Sequence, residues 1–303
     1  RLMNLPKRFG IWGNTDKLSF WDALPKIISW SNKNNLEVHL TSRILNHTSG
    51  INLKEREIKV KGDMSKLDFM LVLGGDGTFL SLARTIENNN IPILGIHLGD
   101  LGFLAKVTLK DLFNRLDQVA NGFYILEERI LVEAVIEKDG KKINQVALND
   151  FVICNAQSHR MLNSIVDVDG HLVGNYRSDG LVVATPTGST AYSLSAGGPI
   201  VTPSVDSLII TPTAAHTLTS RPLVVPASSK IIISFPSVGD SIQFIADGQE
   251  HEILDTSCRV EISKSTQKIS LVDFDDTDYF ETLRKKMGWG CLLYTSDAAD
   301  DQA

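Results

Sequence analysis

Phe69-Met70-Leu71-Val72-Leu73-Gly74-Gly75-Asp76-Gly77-Thr78-Phe79-Leu80-Ser81-Leu82-Ala83-Arg84-Thr85-Ile86 decides how the chain is read. Its first five residues form a short, continuous apolar run. That is the pattern of a strand buried on both faces of a parallel sheet. Further on, Phe79, Leu82, Ala83 and Ile86 recur at i, i+3, i+4 and i+7, one face of a helix. A glycine-rich turn between a buried strand and a helix lets backbone N–H groups converge on phosphate. Asp76 at the centre of the turn would repel a bare phosphate. It is tolerated if Mg²⁺ lies between them, or if the carboxylate takes a proton from a group attacking the phosphate. The same residues also suit a plain tight turn, with glycines supplying positive φ and Asp76 capping the helix.

Working outward, residues 8–13 read as a first strand and Asn14-Thr15-Asp16 as a helix entry. A helix over 21–30 and a strand over 36–40 follow. After the glycine turn come a strand over 91–96 and a helix over 111–119, with Leu112, Leu116 and Val119 on one side. This β-α-β order predicts a parallel sheet covered by helices. Gly99-Asp100-Leu101-Gly102-Phe103-Leu104 reads as a turn beyond a strand's C-terminal end, the edge where open α/β sheets hold ligands.

Near Tyr124 the pattern changes to short strands: 131–137, 143–152, 164–168, 181–185, 208–211, 230–235, 241–246, 259–263 and 268–272. Asp139-Gly140 marks a hairpin turn, and one helical insertion is expected over 191–196. A helix over 279–287 carries Phe280, Leu283 and Met287 on one face and is expected to pack back on another element. The expected fold is therefore an α/β N-terminal domain with a Rossmann-like parallel sheet (1–124) and an all-β C-terminal domain (125–272). A helix over 273–290 returns to the first domain. Residues 291–303 read as a disordered or artefactual tail.

The 303 residues are 43% hydrophobic and 22% charged, an ordinary globular composition. A net charge of −6 argues against broad binding to nucleic acid or an anionic membrane. No apolar span approaches the ~20 residues that cross a bilayer. The N-terminus lacks the apolar core of a signal peptide, and Met3 is a candidate start. Cys154, Cys258 and Cys291 form no Cys-x-x-Cys pair, so neither a zinc knuckle nor a disulfide framework is expected, and a reducing cytoplasm fits. There is no P-loop, no Gly-x-Gly-x-x-Gly after the first strand, no His-Glu-x-x-His and no Gly-x-Ser-x-Gly.

Three further stretches carry chemistry. In Arg177-Ser178-Asp179-Gly180-Leu181-Val182-Val183-Ala184-Thr185-Pro186-Thr187-Gly188-Ser189-Thr190-Ala191-Tyr192, an apolar strand runs into a hydroxyl-rich turn and a helix start. That suits a phosphate- or ribose-bearing ligand, with Tyr192 able to stack on a flat ring; it equally suits a capped helix. Asn149-Asp150 interrupts an apolar run with an amide and a carboxylate, fit for a ribose diol or an adenine edge, or for a simple turn. Asp247-Gly248-Gln249 reads as a hairpin turn. His216 reads as structural, and Arg160 and Arg177 as phosphate partners or solvated cations.

In this order the stretches resemble the NAD kinase family. The resemblance rests on Gly74–Thr78, Gly99–Leu104, Leu148-Asn149-Asp150, Arg177–Gly180 leading into Thr185–Tyr192, Arg221-Pro222-Leu223 and Asp247-Gly248-Gln249, and spans residues 9 to about 290. It implies transfer of the γ-phosphate of ATP to the 2′-hydroxyl of NAD's adenosine ribose. Asp76 is then the proton acceptor, and Gly74, Gly75, Gly77 and Thr78 hold phosphate. Asp76 and Gly77 would lie against the dinucleotide, together with Asn149, Asp150, Arg160, Arg177 and Asp179, the run Thr190, Ala191, Tyr192, Ser193, Leu194 and Ser195, and Gln249. Asp150 stands where the family typically has Glu. The resemblance also implies a divalent cation such as Mg²⁺ with no ligands assigned, a homodimer or homotetramer, and a cytoplasmic location. Two rival readings are a lipid kinase of the diacylglycerol or sphingosine type, which shares the glycine turn, and a non-catalytic NAD sensor.

Overall fold

The structure, a computed structural model, describes residues 5–50, 53, 55–58, 64–86, 90–99, 101–138, 140–157, 160–217, 219–236 and 241–289. The expected tail over 291–303 and two turn residues, Asp100 and Asp139, lie outside the described residues. The chain divides into two compact units, Arg1–Glu127 with Ser270–Ala303, and Glu128–Ile269. Among the described residues no helix is long and apolar enough to cross a membrane.

The first unit is α/β. Its strands are β1 (Arg8–Gly13), β2 (Glu37–Thr41), β3 (Arg56–Ile58), β4 (Phe69–Gly74), β5 (Ile93–His97) and the short β6 (Val107–Thr108). They are parallel in the order β5-β4-β1-β2-β3, with β6 beside β5. Leu271 adds a parallel pairing to Ile93. Every residue of β4 is buried, as its unbroken apolar run requires. Among the described residues, helices α1 (Leu18–Lys33), α2 (Ser42–Leu45), α3 (Asp76–Thr85) and α4 (Leu112–Ala120) belong to this part of the chain. Phe79, Leu82, Ala83 and Ile86 are all buried, so the face read from the sequence is the face that packs. Helix α1 extends beyond the expected 21–30 at both ends. Phe9 and Phe69, partners in register, stack at 4.9 Å within the core on one side of the sheet.

The second unit is antiparallel β. Its strands are β7 (Ile125–Lys138), β8 (Lys141–Ala147), β9 (Asp150–Asn155), β10 (Leu162–Val168), β11 (His171–Ser178), β12 (Gly180–Ala184), β13 (Ser207–Thr213), β14 (Leu223–Pro226), β15 (Ile231–Ser234), β16 (Ser241–Ala246), β17 (Glu250–Asp255) and β18 (Arg259–Asp273). The chain enters this unit within β7 and leaves it within β18. One sheet has the order β14-β13-β12-β9-β16-β17; β11, β10, β15 and β18 pair side by side, and β7 pairs with β8. Phe151, Ile153, Leu181, Val183, Phe244, Ile231, Ile233, Val260 and Ile262 fill the core, drawn from both sets of strands. A short helix of this unit, α5 (Tyr192–Ser195), follows a 3₁₀ turn at Gly188–Thr190.

Three expectations are corrected. The single strand over 143–152 is broken at Leu148 and Asn149. The N–H groups of residues 148–150 donate to the Asp247 carboxylate, so a side chain replaces the ladder there. The separate strands over 259–263 and 268–272 are one strand, β18, whose polar middle is held by Lys264–Asp206 and Lys268–Glu128 ion pairs. The last helix, α6 (Tyr279–Met287), does pack within the first unit, but through Thr282 and Leu283; Phe280 is 55% exposed. Tyr279 approaches the Phe103 ring at 6.2 Å, and the Lys286 ammonium lies 5.9 Å from that ring's centre.

Candidate active site

In the first unit the chain runs from β1 towards β2 on one side and from β4 towards β5 on the other. The turn after β4 therefore sits where the strand order reverses, the crevice in which open α/β sheets bind ligands. Local sterics explain its glycines. A Cβ on Gly74 would lie 2.3 Å from the Thr78 hydroxyl, because Thr78 folds back over the strand end. Gly75 has an extended backbone and nothing within 4 Å of a Cβ position, so its surface is open to a ligand. Gly77 is exposed. Asp76 opens α3, where the helix dipole favours a negative charge.

The Asp76 carboxylate is not loose in this turn. Its Oδ2 accepts from the Phe103 N–H at 2.9 Å; its Oδ1 accepts from the Leu104 and Ala105 N–H groups at 3.0 and 3.1 Å. The donors belong to the turn beyond β5 noted in the sequence. A Cβ on Gly102 would lie 2.0 Å from Asp76 Oδ1, so a side chain there would displace the carboxylate. A carboxylate offers about four lone-pair directions. Oδ1 has both of its directions filled, and Oδ2 has one filled.

In the second unit a cleft of about 540 Å³ opens on the face of the six-stranded sheet that carries α5. Strand alternation sets its floor. Along β9, Asp150, Val152 and Cys154 line the cleft, while Phe151 and Ile153 point to the core. Asn149, Asp179, Ala191 and Tyr192 also line it, so five of the residues assigned from the resemblance come together here. Tyr192 is half exposed, with its ring free to cover a bound group.

Asp150 is 3% exposed, and its Oδ2 has no hydrogen-bond partner among the described residues. Burial pushes its carboxyl up to about 7; the Asp247 charge adds to that, and the Tyr192 backbone N–H pulls the other way. Asp247 is itself buried at the β16–β17 turn. Asp247 and Gly248 have φ of 49° and 65°, the pair of positive values a type I′ hairpin needs. Asp247 Oδ2 accepts from the Leu148 N–H at 3.0 Å, and Oδ1 from the Asn149 and Asp150 N–H groups at 2.7 and 3.2 Å.

Other assigned residues lie away from this lining. Arg160, Arg177, Ser195 and Gln249 are exposed. The hydroxyls read as ligand donors are largely used within the fold: Thr185 donates to the Leu148 carbonyl, Ser189 to Pro186, and Thr190 to Thr187. Ser193 is fully buried against Thr211, and Leu194 is partly buried. Their job is to hold the Thr185–Ser195 segment in shape. A Cβ on Gly188 would lie 2.0 Å from the Asn149 carbonyl oxygen, so this segment is pressed against Asn149.

Residues 27–124 match the family described as ATP-NAD kinase N-terminal domain, and residues 148–274 that described as ATP-NAD kinase C-terminal domain. The chain belongs to the NAD kinase family. It is 38% identical over 292 residues to the NAD kinase of Hydrogenovibrio crunogenus, covering 94% of this chain and 99% of that one. It is 37% identical over 299 residues to the NAD kinase of Pseudomonas putida, covering 96% and 98%. Among solved structures, yeast NADH kinase complexed with NADH superposes with a TM-score of 0.87 at 25% identity, covering 95% of this chain and 89% of that one. An NAD kinase from Archaeoglobus fulgidus in complex with ATP gives 0.73 at 26% identity, covering 93% and 98%.

Within this NAD kinase family member, reading residues alone put Gly102 in a turn at the ligand edge and Asp247 in a hairpin turn without their part in the carboxylate seats, and missed Cys154 and His251, which line the cleft. Gly102 had a signal, a glycine beside an apolar pair beyond a parallel strand. Cys154 had none; burial raises its thiol pKa, which makes it a wall of the cleft rather than a nucleophile.

Proposed function

We propose that the chain transfers the γ-phosphate of ATP to the 2′-hydroxyl of the adenosine ribose of NAD, giving NADP⁺ and ADP, with Asp76 Oδ2 as the proton acceptor. The observation that carries this is the Asp76 seat. Three N–H donors fix the carboxylate and, among the described residues, leave one unused lone-pair direction, on Oδ2. A ribose hydroxyl is a poor nucleophile. A fixed carboxylate assists it by accepting its proton as the phosphoryl group arrives. Positioning and charge neutralisation supply most of the remaining rate. Gly74, Gly75, Gly77 and Thr78 border the phosphate turn.

The second unit's cleft receives the dinucleotide, with Asn149, Asp150, Asp179, Ala191 and Tyr192 as its contacts and Arg160, Arg177 and Gln249 outside the lining. Asp150 Oδ2 accepts from a ligand hydroxyl, which meets its missing hydrogen bond. Among the described residues no group of three His, Cys, Asp or Glu side chains is placed to hold a metal. The divalent cation enters with the nucleotide as Mg²⁺–ATP, a substrate complex in which phosphate oxygens and water supply most ligands. A homodimer or homotetramer and a cytoplasmic site of action, in keeping with Cys154 and Cys258 standing outside any disulfide, belong to the same reading.

The deciding assay uses purified protein with NAD or NADH as acceptor and Mg²⁺–ATP or polyphosphate as donor, reading NADP(H). NADP⁺ formation with ATP is the expected result. NAD binding by calorimetry with no NADP⁺ formed would make the chain a sensor, and ADP release only with a diacylglycerol would make it a lipid kinase.

A further inference from the structure

The turn that seats Asp76 is itself gripped by the returning C-terminal segment. Lys106 directly follows the three N–H donors. Its side chain is 11% exposed, and the ammonium lies 2.6 Å from Asp273 Oδ2 and 2.9 Å from Glu127 Oε2. Asp273, at the end of β18, is 12% exposed at its side chain, and its Oδ1 accepts from the Phe274 N–H. The other flank of the turn is equally confined. A Cβ on Gly95 of β5 would lie 2.8 Å from the Ala105 Cα and from the Leu104 carbonyl oxygen. Gly102 N–H reaches back to the Ala105 carbonyl at 3.3 Å. Residues 102–106 are thus wedged between Gly95 and Asp76, and the largely covered Lys106 side chain ties their end to Asp273 and Glu127.

We infer that Lys106, through its ion pairs with Asp273 and Glu127, is a positioning residue for Asp76: it fixes the 103–105 N–H groups that aim the carboxylate. This rests on the proposed role of Asp76 as proton acceptor. A buried ammonium between two carboxylates is costly to desolvate, so its worth as a stabiliser is small. Removing it, by contrast, takes the ammonium partner from the carboxylate of Asp273, whose side chain is 12% exposed, at the end of the seat. A shift of the seat of about 1 Å is enough to lower turnover by about 10²-fold without touching substrate affinity.

The test measures kcat and both KM values for Lys106→Met, Lys106→Arg, Asp273→Asn and Asp76→Asn, and for Lys106→Met combined with Asp76→Asn. Lys106→Met is expected to lose about 10–100-fold in kcat with both KM values within about 3-fold. Arginine keeps the charge and should recover most of the loss. In the Asp76→Asn background the Lys106 change should cost nothing further, because a residue acting through Asp76 has nothing left to aim. Equal losses in both backgrounds, or no loss in either single variant, overturn the inference. Asp273→Asn is nearly isosteric and leaves the Lys106–Glu127 pair, so it probes the same coupling if Lys106→Met does not fold. Unchanged turnover in Asp76→Asn alone instead refutes the proton-acceptor role and is read separately.

Discussion

Asp76 in the first unit and Asp247 in the second each accept hydrogen bonds from three consecutive backbone N–H groups, 103–105 and 148–150. Even the division is the same: one donor on Oδ2 and two on Oδ1. Their surroundings differ. Asp76 is partly exposed at a helix N-terminus, beside an open glycine. Asp247 is 7% exposed, within the reach of a second buried carboxylate, Asp150. One seat therefore holds a charge where a ligand can meet it. The other holds a charge where it reshapes a loop and raises the proton affinity of its neighbour. The seat sets geometry; exposure decides whether that geometry serves chemistry or architecture.

The strongest way to break this contrast is Asp76→Asn. Loss of about 10²–10⁴-fold in NADP⁺ formation, with NAD binding by calorimetry retained, is expected for a removed base. Near-normal turnover would sink the assignment. Next comes Asp247→Asn, which tolerates the positive φ but turns an amide N–H₂ towards a backbone N–H. One stranded buried donor costs on the order of 1–3 kcal/mol, read as a lower urea midpoint with weaker NAD binding. If Asp247→Asn instead spares stability and removes turnover alone, the two seats are not distinct in kind.

Gly102→Ala sharpens the comparison from the donor side. Its methyl group lands on Asp76 Oδ1, and about a 10-fold or greater loss in kcat with unchanged NAD affinity is expected. The smallest effect concerns Asp150. Its folded carboxyl, at about 7, lies above its ordinary value of 3.8, so the native state holds the proton more tightly than the unfolded chain. Its favourable contribution is full below pH 3.8 and is lost as pH rises through 7. Asp150→Asn should therefore flatten the pH dependence of stability between about pH 4 and 7, gaining on the order of 1 kcal/mol over the parent at about pH 8. A pH profile parallel to the parent's would show that Asp150 ionises normally.

The apolar run of β4 and the period of α3 were legible because burial on both faces and burial on one face leave different spacings. The hydroxyls of Thr185–Ser193 were legible as a special segment but not as an internally bonded one, since composition does not say where a donor points. The two carboxylate seats were invisible for a plainer reason. Each joins segments far apart in sequence, 76 with 103–105 and 247 with 148–150, and backbone N–H groups carry no sequence signature. Strand β11 was missed because it is an exposed edge strand with Leu172 at 68% exposure, although the Asp169-Gly170 turn before it has the paired positive φ of a tight hairpin. Strand β18 was split because Lys264–Lys268 looks like a loop, whereas Ser and Thr also suit strands.

The first unit is discontinuous in the chain: its first part ends at Glu127 and its last begins at Ser270. A ribosome adding about 5–20 residues per second needs roughly 7–28 s to make the stretch between them. During that interval the glycine turn and its three N–H donors already exist, but Asp273, the carboxylate that locks Lys106, has not been made. The second unit, contiguous in sequence, can complete first. The last support for Asp76 thus arrives only after the whole second unit has been synthesised, so the order of synthesis itself postpones a fully braced glycine turn until the second unit's cleft has been made.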